Sequence, residues 1–277
     1  MSRAVEANPY ASEIAHLSSV IDETPTIKTF CFDLDKPLEF RAGQFVQLGV
    51  PGVGEGPFTP SSSPLDPKHL EVTVLRTGRV TERLHEMAEG AKCLLRGPYG
   101  KGYPVEKLEG KDVLIVGGGV GLAPLRALIY KLLSMTDRLK KVVIKNGARE
   151  MAELLFRRQY DEWVARDKVS VEVTIDRPEP GWNGKVGVVT TLLEDIGSEV
   201  DISNAYAFSC GPGIMLKFVT QTLLEKGFTP EQIYLSMNRR MSCGIGKCGR
   251  CNIGPYYLCK DGPDICYAKI KDYPNVF

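Results

Sequence analysis

The sequence predicts an antiparallel β-barrel, then an α/β domain built on a parallel sheet, then a short C-terminal module organised by cysteines. Three observations predict this order. Period-two apolar alternation, punctuated by Gly and Pro, fills the first hundred residues. Strand and helix patterns then alternate from Asp112 to Ser236, as in parallel βα units covered on both faces. Five of the 8 Cys crowd between Cys243 and Cys266. The expected units are residues 1–105, 106–237 and 238–277.

In the first unit, Phe30, Phe32 and Leu34 share one strand face. Val46, Leu48 and Val50 follow, then Leu70, Val72 and Val74. Turn-forming residues cluster from Pro51 to Pro64, which suits a small barrel. One short helix is expected from Thr81 as N-cap, through Leu84 and Met87, to a stop at Gly90. Asp112 to Val116 is a continuous apolar strand, and a helix follows from Leu125 to Leu133. Further strands are expected at Val142–Ile144, Val169–Ile175, Ala205–Ser209 and Ile233–Ser236. Helices are expected at Ala152–Trp163, Thr191–Ile196 and Ile214–Glu225. The tail from Asn238 reads as a loop-built module.

Composition narrows the function. Lys+Arg 35 against Asp+Glu 34 leaves a charge of +1, which points to no nucleic-acid partner. The longest apolar stretch, Val113 to Met135, is broken by glycines, Arg126 and Lys131, so no bilayer span is expected. No basic and apolar leader is visible. A soluble, cytoplasmic protein without a disulfide scaffold is the expectation. His16, His69 and His85 show no ligand spacing, and Arg157-Arg158 reads as a solvated helix face.

Two glycine segments carry binding chemistry. Gly117, Gly118, Gly119 and Gly121 lie between a strand and a helix, where backbone N–H groups hold phosphate and a Cβ would block approach. The segment does not complete the G-x-G-x-x-G fingerprint. Lys145 and Asn146 stand where that fold places its ribose-binding acid. Cys210-Gly211-Pro212-Gly213 ends a later strand, so both segments are expected at one sheet edge. Near the C-terminus, Cys243, Cys248 and Cys251 are spaced C-x4-C-x2-C, with Cys259 beyond. That spacing suits a [2Fe–2S] cluster. Structural zinc prefers two C-x2-C knuckles, and only one is present.

These residues resemble the ferredoxin–NADP reductase superfamily, and the resemblance covers most of the chain. Gly56-Pro-Phe58-Thr59-Pro-Ser61-Ser62 is similar to its flavin motif. Phe58 takes the aromatic position and Thr59 the hydroxyl position beside the isoalloxazine. Gly56 replaces the usual Arg, and Arg76 is the expected source of compensating charge. Gly78-Arg-Val80-Thr81 resembles the segment that binds the flavin pyrophosphate, and Gly97-Pro-Tyr-Gly100 its barrel-closing turn. Cys210-Gly211-Pro212 resembles the segment beside the nicotinamide.

The closer resemblance is to a cluster-bearing subgroup. It includes sulfhydrogenase γ subunits, the B subunit of anaerobic sulfite reductase and the dihydroorotate dehydrogenase electron-transfer subunit. Asn8-Pro-Tyr10, Glu23 to Phe30, Phe58 to Ser63 and Arg239 to Cys248 look most like the hydrogenase and sulfite-reductase type. The resemblance implies FAD, NAD(P)H and a [2Fe–2S] cluster as cofactors, with Thr59 and Cys210 flanking hydride transfer. It implies Cys259 as fourth cluster ligand; Cys266 would match the longer spacer of the dihydroorotate type. It also implies partner subunits carrying the terminal substrate site. A dihydroorotate dehydrogenase electron-transfer subunit and a non-catalytic docking module are the alternatives. No acidic residue occurs from Gln232 to Lys260, whereas Arg239, Arg240, Lys247, Arg250 and Lys260 do. This basic stretch suits either a solvated surface or compensation of an anionic cluster.

Overall fold

The structure, a computed structural model, describes residues 8–277. Residues 1–7 of the expected first unit lie outside the described residues. The first unit is a six-stranded antiparallel sheet of β1 (Glu13–Asp22), β2 (Ile27–Leu34), β3 (Phe45–Val50), β4 (Gly54–Phe58), β5 (His69–Leu75) and β6 (Lys92–Tyr99). Their order is β4-β3-β6-β1-β2-β5, and the edge strands β4 and β5 approach each other, curling the sheet toward a barrel. Its core is filled by the alternating residues of the sequence pattern, including Phe30, Phe32, Val46, Leu48, Leu70, Val72 and Val74.

Helix α1 (Arg79–His85) joins β5 to β6, with Gly78 as N-cap. Thr81 is therefore not the cap. It sits in the first turn, and its hydroxyl accepts the N–H groups of Thr77 and Gly78, both at 2.9 Å. Gly78 has no side chain to close that end, so a reciprocal bond from inside the helix does so.

The second unit runs β7 (Asp112–Gly118), α2 (Leu122–Leu133), β8 (Lys141–Ala148), α3 (Tyr160–Val164), β9 (Val169–Ile175), β10 (Lys185–Val186), α4 (Ile196–Glu199), β11 (Ala205–Cys210), α5 (Gly213–Glu225) and β12 (Ile233–Ser236). These six strands pair parallel, in the order β10-β9-β8-β7-β11-β12. One face packs on α2 and the other on α5 and the 189–196 segment. The expected helix over Ala152–Trp163 does not form as one piece. Phe156 adopts φ 58°, which an α-helix of L-residues does not tolerate, and only 3-10 turns precede α3. Thr191–Ile196 is likewise mostly a 3-10 turn over Val189–Leu193.

The tail is more ordered than its glycines suggest. It holds a small hairpin of β13 (Asn252–Ile253) and β14 (Tyr256–Tyr257), helix α6 (Leu258–Asp261) and β15 (Asp264–Cys266). Strand β15 pairs antiparallel with β12 and becomes the seventh strand of the nucleotide sheet. The pairing covers an otherwise open parallel edge. The tail also packs on the barrel, so β3 is buried at every position. Phe45 joins the core formed by Met241, Cys243, Cys251 and Cys259.

Candidate cofactor sites and the links between them

Strand β4 delivers Phe58 and Thr59, both half-buried, to the rim of the barrel. The following turn is fixed from behind: the Ser61 N–H donates to the Glu71 carbonyl at 2.8 Å, and hydroxyls connect Ser61, Thr73 and Thr29 at 2.8 Å each. The Ser62 hydroxyl is buried without a partner, an unmet polar group inside the motif that suits a polar cofactor. Gly78 and Val80 lie close by, with Val80 Cγ2 3.6 Å from the Cβ position of Gly54. A cavity of about 270 Å³ between α1 and the β3–β4 turn is lined by Arg79 and Arg83 and equally by Glu82 and Glu86. Arg76 is exposed at the end of β5 and is not among its lining residues. Arg79 belongs to the Gly78–Thr81 segment itself, and its side chain is exposed.

The two glycine segments do meet at one sheet edge. Cys210, last in β11, is in register with Gly117 of β7. A side chain on Gly121 would overlap the Cys210 carbonyl, so only glycine permits this approach. Gly118 and Gly211 both pack against the Met215 sulfur. Helices α2 and α5 begin directly beyond the two segments, presenting free N–H groups to the same space. Asn146, beside Gly117, has a buried carbonyl oxygen without a partner. Lys145 is turned away into an ion-pair network with Glu172 and Glu199, both at 2.6 Å.

The cysteine loop is organised by backbone N–H groups that donate to sulfur. Cys243 Sγ accepts from Ile245 at 3.5 Å, Lys247 at 3.3 Å and Cys248 at 3.4 Å. Cys259 Sγ accepts from Gly246 at 3.1 Å, and Cys251 Sγ from Cys259 at 3.5 Å. Burial disfavours the Cys243 thiolate, but the three N–H groups outweigh it and bring the thiol down to about 6. Burial, together with the neighbouring Cys251 sulfur, pushes Cys259 up to about 12 against the Gly246 N–H. Gly246 has φ 73°, the left-handed turn that aims its N–H inward. Cys251 and Cys259 are buried and Cys248 is exposed. Cys266 points elsewhere, its thiol 3.6 Å from the carbonyls of Pro230 and Glu231. Among the described residues no group of three or more His, Cys, Asp or Glu side chains is arranged to hold a single metal ion. The sulfurs are related through the shared loop instead.

Two buried arginines link the three regions. Arg96 of β6 pairs with Glu55 of β4 and donates to the carbonyls of Ser242 at 3.1 Å and Cys243 at 2.9 Å. Gln47 adds a bond to the Met241 carbonyl at 2.7 Å. Arg126 of α2 crosses to the barrel, pairing with Glu71 and donating to the Ser61 carbonyl at 3.2 Å. Its guanidinium also lies 4.5 Å from the Phe156 ring centroid. Neither arginine belongs to a motif, and each is identified only by its partners in space. Arg157 and Arg158 are exposed, as expected, and Arg158 also pairs with Glu23 at 2.7 Å.

Fold and site together define an oxidoreductase with FAD-binding, NAD-binding and iron–sulfur domains. Residues 15–103 match the oxidoreductase FAD-binding domain, and 115–221 the oxidoreductase NAD-binding domain. Residues 238–271 match the iron–sulfur cluster binding domain of dihydroorotate dehydrogenase B. The chain is 36% identical over 283 residues to the sulfhydrogenase 1 γ subunit of Pyrococcus furiosus, spanning 97% of this chain and 95% of that one. It is 35% identical over 232 residues to a probable dihydroorotate dehydrogenase B electron transfer subunit of the same organism, spanning 84% and 82%. Among solved structures, an NADH-dependent reduced ferredoxin–NADP oxidoreductase superposes with a TM-score of 0.75 at 25% identity, covering 95% of this chain and 93% of that one. The chain belongs to the cluster-bearing branch of the ferredoxin–NADP reductase superfamily, which holds sulfhydrogenase γ and dihydroorotate dehydrogenase electron-transfer subunits.

Proposed function

We propose that the chain is the diaphorase subunit of a hydrogenase, sulfur- or sulfite-reducing or related redox complex, and that its cluster is of the [2Fe–2S] type. When bound, FAD exchanges a hydride with NAD(P)H and single electrons with the cluster; that chemistry is the cofactors' own. The protein binds, orients and sets potentials. Phe58, Thr59, Gly78, Val80 and Thr81 hold the flavin, with Arg79 joining Arg76 as phosphate cations. Gly117, Gly118, Gly119, Gly121, Gly211 and Pro212 form the nucleotide cradle. Thr59 and Cys210 flank the reacting rings. Cys243, Cys248, Cys251 and Cys259 ligate the cluster. The proposed working units are 1–105, 106–237 and 238–277.

The observation that carries this reading is the Arg96 link. One buried guanidinium joins the strand that ends in Phe58 to the carbonyl of the first cluster cysteine. Flavin and cluster are thereby held to one scaffold, as single-electron exchange requires. The exposed Cys248 and the acid-free stretch from Gln232 to Lys260 support an exit toward an acidic partner.

The test is anaerobic purification with partners. A large iron–sulfur partner is expected to co-purify, and two irons with two acid-labile sulfides per chain are expected. Zinc without iron would refute the cluster assignment. A barrel-type flavoenzyme as sole partner would replace this reading with the dihydroorotate dehydrogenase one, which the comparable 35% identity supports.

A further inference from the structure

The carboxyl edge of the nucleotide sheet carries a buried acid that no step above employs. Cys210 of β11 is in register with Ser236 of β12, and Ser236 with Asp264 of β15. Register partners present their side chains on one face, so the three form a row leading from the glycine loop to the cysteine module. That face is the barrel side, where Tyr103 and Phe208 pack edge to face at 5.2 Å. Asp264 is only 5% exposed, and neither of its oxygens has a hydrogen-bond partner. Nor does the Tyr103 hydroxyl. Gly43 of the barrel lies directly on the Asp264 carboxylate, and a side chain there would overlap it. The acid therefore sits where all three units meet.

An unpaired carboxylate is costly in such a place and calls for a positive charge. Among the described residues none supplies it. The titratable groups facing Asp264 are Tyr103 from the segment after the barrel and Cys210 from β11; β12 contributes the Ser236 hydroxyl and the barrel the apolar Gly43. Burial pushes Asp264 up to about 7, with the nearby Ser236 and Tyr103 hydroxyls acting in the opposite direction without closing hydrogen bonds. Burial likewise raises Cys210 to about 12 and Tyr103 well above its usual value, so both stay neutral when Asp264 titrates.

We propose that Asp264 is the counter-charge for the oxidised nicotinamide ring, so that its protonation state sets the preference of the site between oxidised and reduced nucleotide. The inference rests on the assignment of the Cys210 edge as the nicotinamide site. Oxidised nicotinamide carries a positive charge that the reduced ring lacks. Asp264 lies two strands from Cys210, roughly 10 Å at ordinary strand spacing. At that separation a carboxylate alters the relative affinity of the two forms by about tenfold. Ionised Asp264 favours the oxidised nucleotide; protonated Asp264 releases that preference. No bond is made or broken beyond the gain or loss of one solvent proton.

The test uses the flavin- and cluster-loaded protein and calorimetric titration with NAD+ and with its 1,4,5,6-tetrahydro analogue, which cannot donate hydride, plus the phosphorylated pair. Between about pH 6 and about pH 8, the wild-type affinity ratio is expected to move about fivefold toward NAD+, most of the full tenfold. Asp264→Asn is expected to hold the wild-type low-pH ratio at both values. Tyr103→Phe removes a hydroxyl that favours the ionised acid, so it should keep the full change but move its midpoint to higher pH. A wild-type ratio independent of pH, or an Asn variant that keeps the whole change, overturns the proposal. Should the Asn variant fail to fold, an unmoved midpoint in Tyr103→Phe overturns it equally. Failure of the wild type to bind any of the nucleotides defeats the underlying site assignment, a result distinct from binding with an unchanged ratio.

Discussion

At the scale of single residues, the cysteines divide by where their sulfurs point. Cys259 Sγ accepts an N–H from the loop that carries Cys243 and Cys248, whereas the Cys266 thiol donates to the carbonyls of Pro230 and Glu231, just before β12. Cys259→Ser is therefore expected to lose most of the iron and the visible cluster absorbance. Cys266→Ser should retain both; iron analysis of the two purified variants decides it. Asp264 gives a second residue-scale prediction, for stability. Its folded value of about 7 lies above the usual 3.8, so the native state holds a proton that the unfolded chain has released. This contribution is fully present below the unfolded value and is lost as pH rises through the folded one. The Asp264 contribution to unfolding stability should fall by about 1.4 kcal/mol per pH unit between those limits. Asp264→Asn should flatten that slope in denaturant titrations. Thr81 shows how a local pattern misleads at this scale. A threonine before an amphipathic run reads as an N-cap, but the preceding glycine starts the helix and the hydroxyl reaches back to it.

At the scale of elements, half of the barrel strands and most of the nucleotide sheet are legible, whereas β1, β4, β6, β10 and the tail are not; β4 lies inside the Pro51–Pro64 stretch that reads as turns. Strands β2, β3 and β5 announce themselves through alternation, and β7 through an unbroken apolar run, because their burial is dictated by residues adjacent in sequence. Strand β15 is only three residues long and follows a Gly-Pro pair, so nothing local distinguishes it from loop. Its identity comes from β12, which needs a neighbour on its open edge. Ile265 is 2% exposed in the core shared by the sheet and the cysteine loop. Ile265→Ala is expected to cost about 2–4 kcal/mol by chemical denaturation, and to loosen the cluster, seen as faster iron release to a chelator. Unchanged stability would show that the strand is not part of the sheet's core. The failed helix at Ala152–Trp163 has the opposite cause. Its residues suit a helix, but Phe156 buries its ring beneath Arg126, and that contact accompanies a left-handed turn.

At the scale of the whole molecule, the three units share their cores and are tied by two arginines with no signature in sequence. Motif spacing reveals which cofactors are held. It does not reveal how they are held relative to one another, because Glu55, Arg96 and Cys243 are far apart in the chain. Removing Arg126 leaves Glu71 without its cation at the seam between barrel and nucleotide sheet. Because Glu71 is 27% exposed, the cost of Arg126→Ala is set at the low end for a broken buried pair, about 3 kcal/mol, in a thermal or denaturant melt. On the proposed reading, the Arg96 link bears on electron transfer between flavin and cluster. Arg96→Gln should leave reduction of the flavin by NAD(P)H nearly unchanged while slowing the appearance of reduced cluster by about tenfold or more, since small displacements of reacting partners carry large rate penalties. Stopped-flow spectra at flavin and cluster wavelengths separate the two phases.

The claim that electrons pass from nicotinamide through flavin to a four-cysteine cluster is tested most directly by one anaerobic titration. The purified protein, with its flavin bound, is mixed with NADH and separately with NADPH, and followed by visible absorbance and then by electron paramagnetic resonance. Bleaching of the flavin, followed by the signal of a reduced [2Fe–2S] cluster that Cys259→Ser abolishes, is the predicted result. A flavin that neither nucleotide bleaches, or a reduced flavin beside a metal centre that gives no such signal, would contradict it.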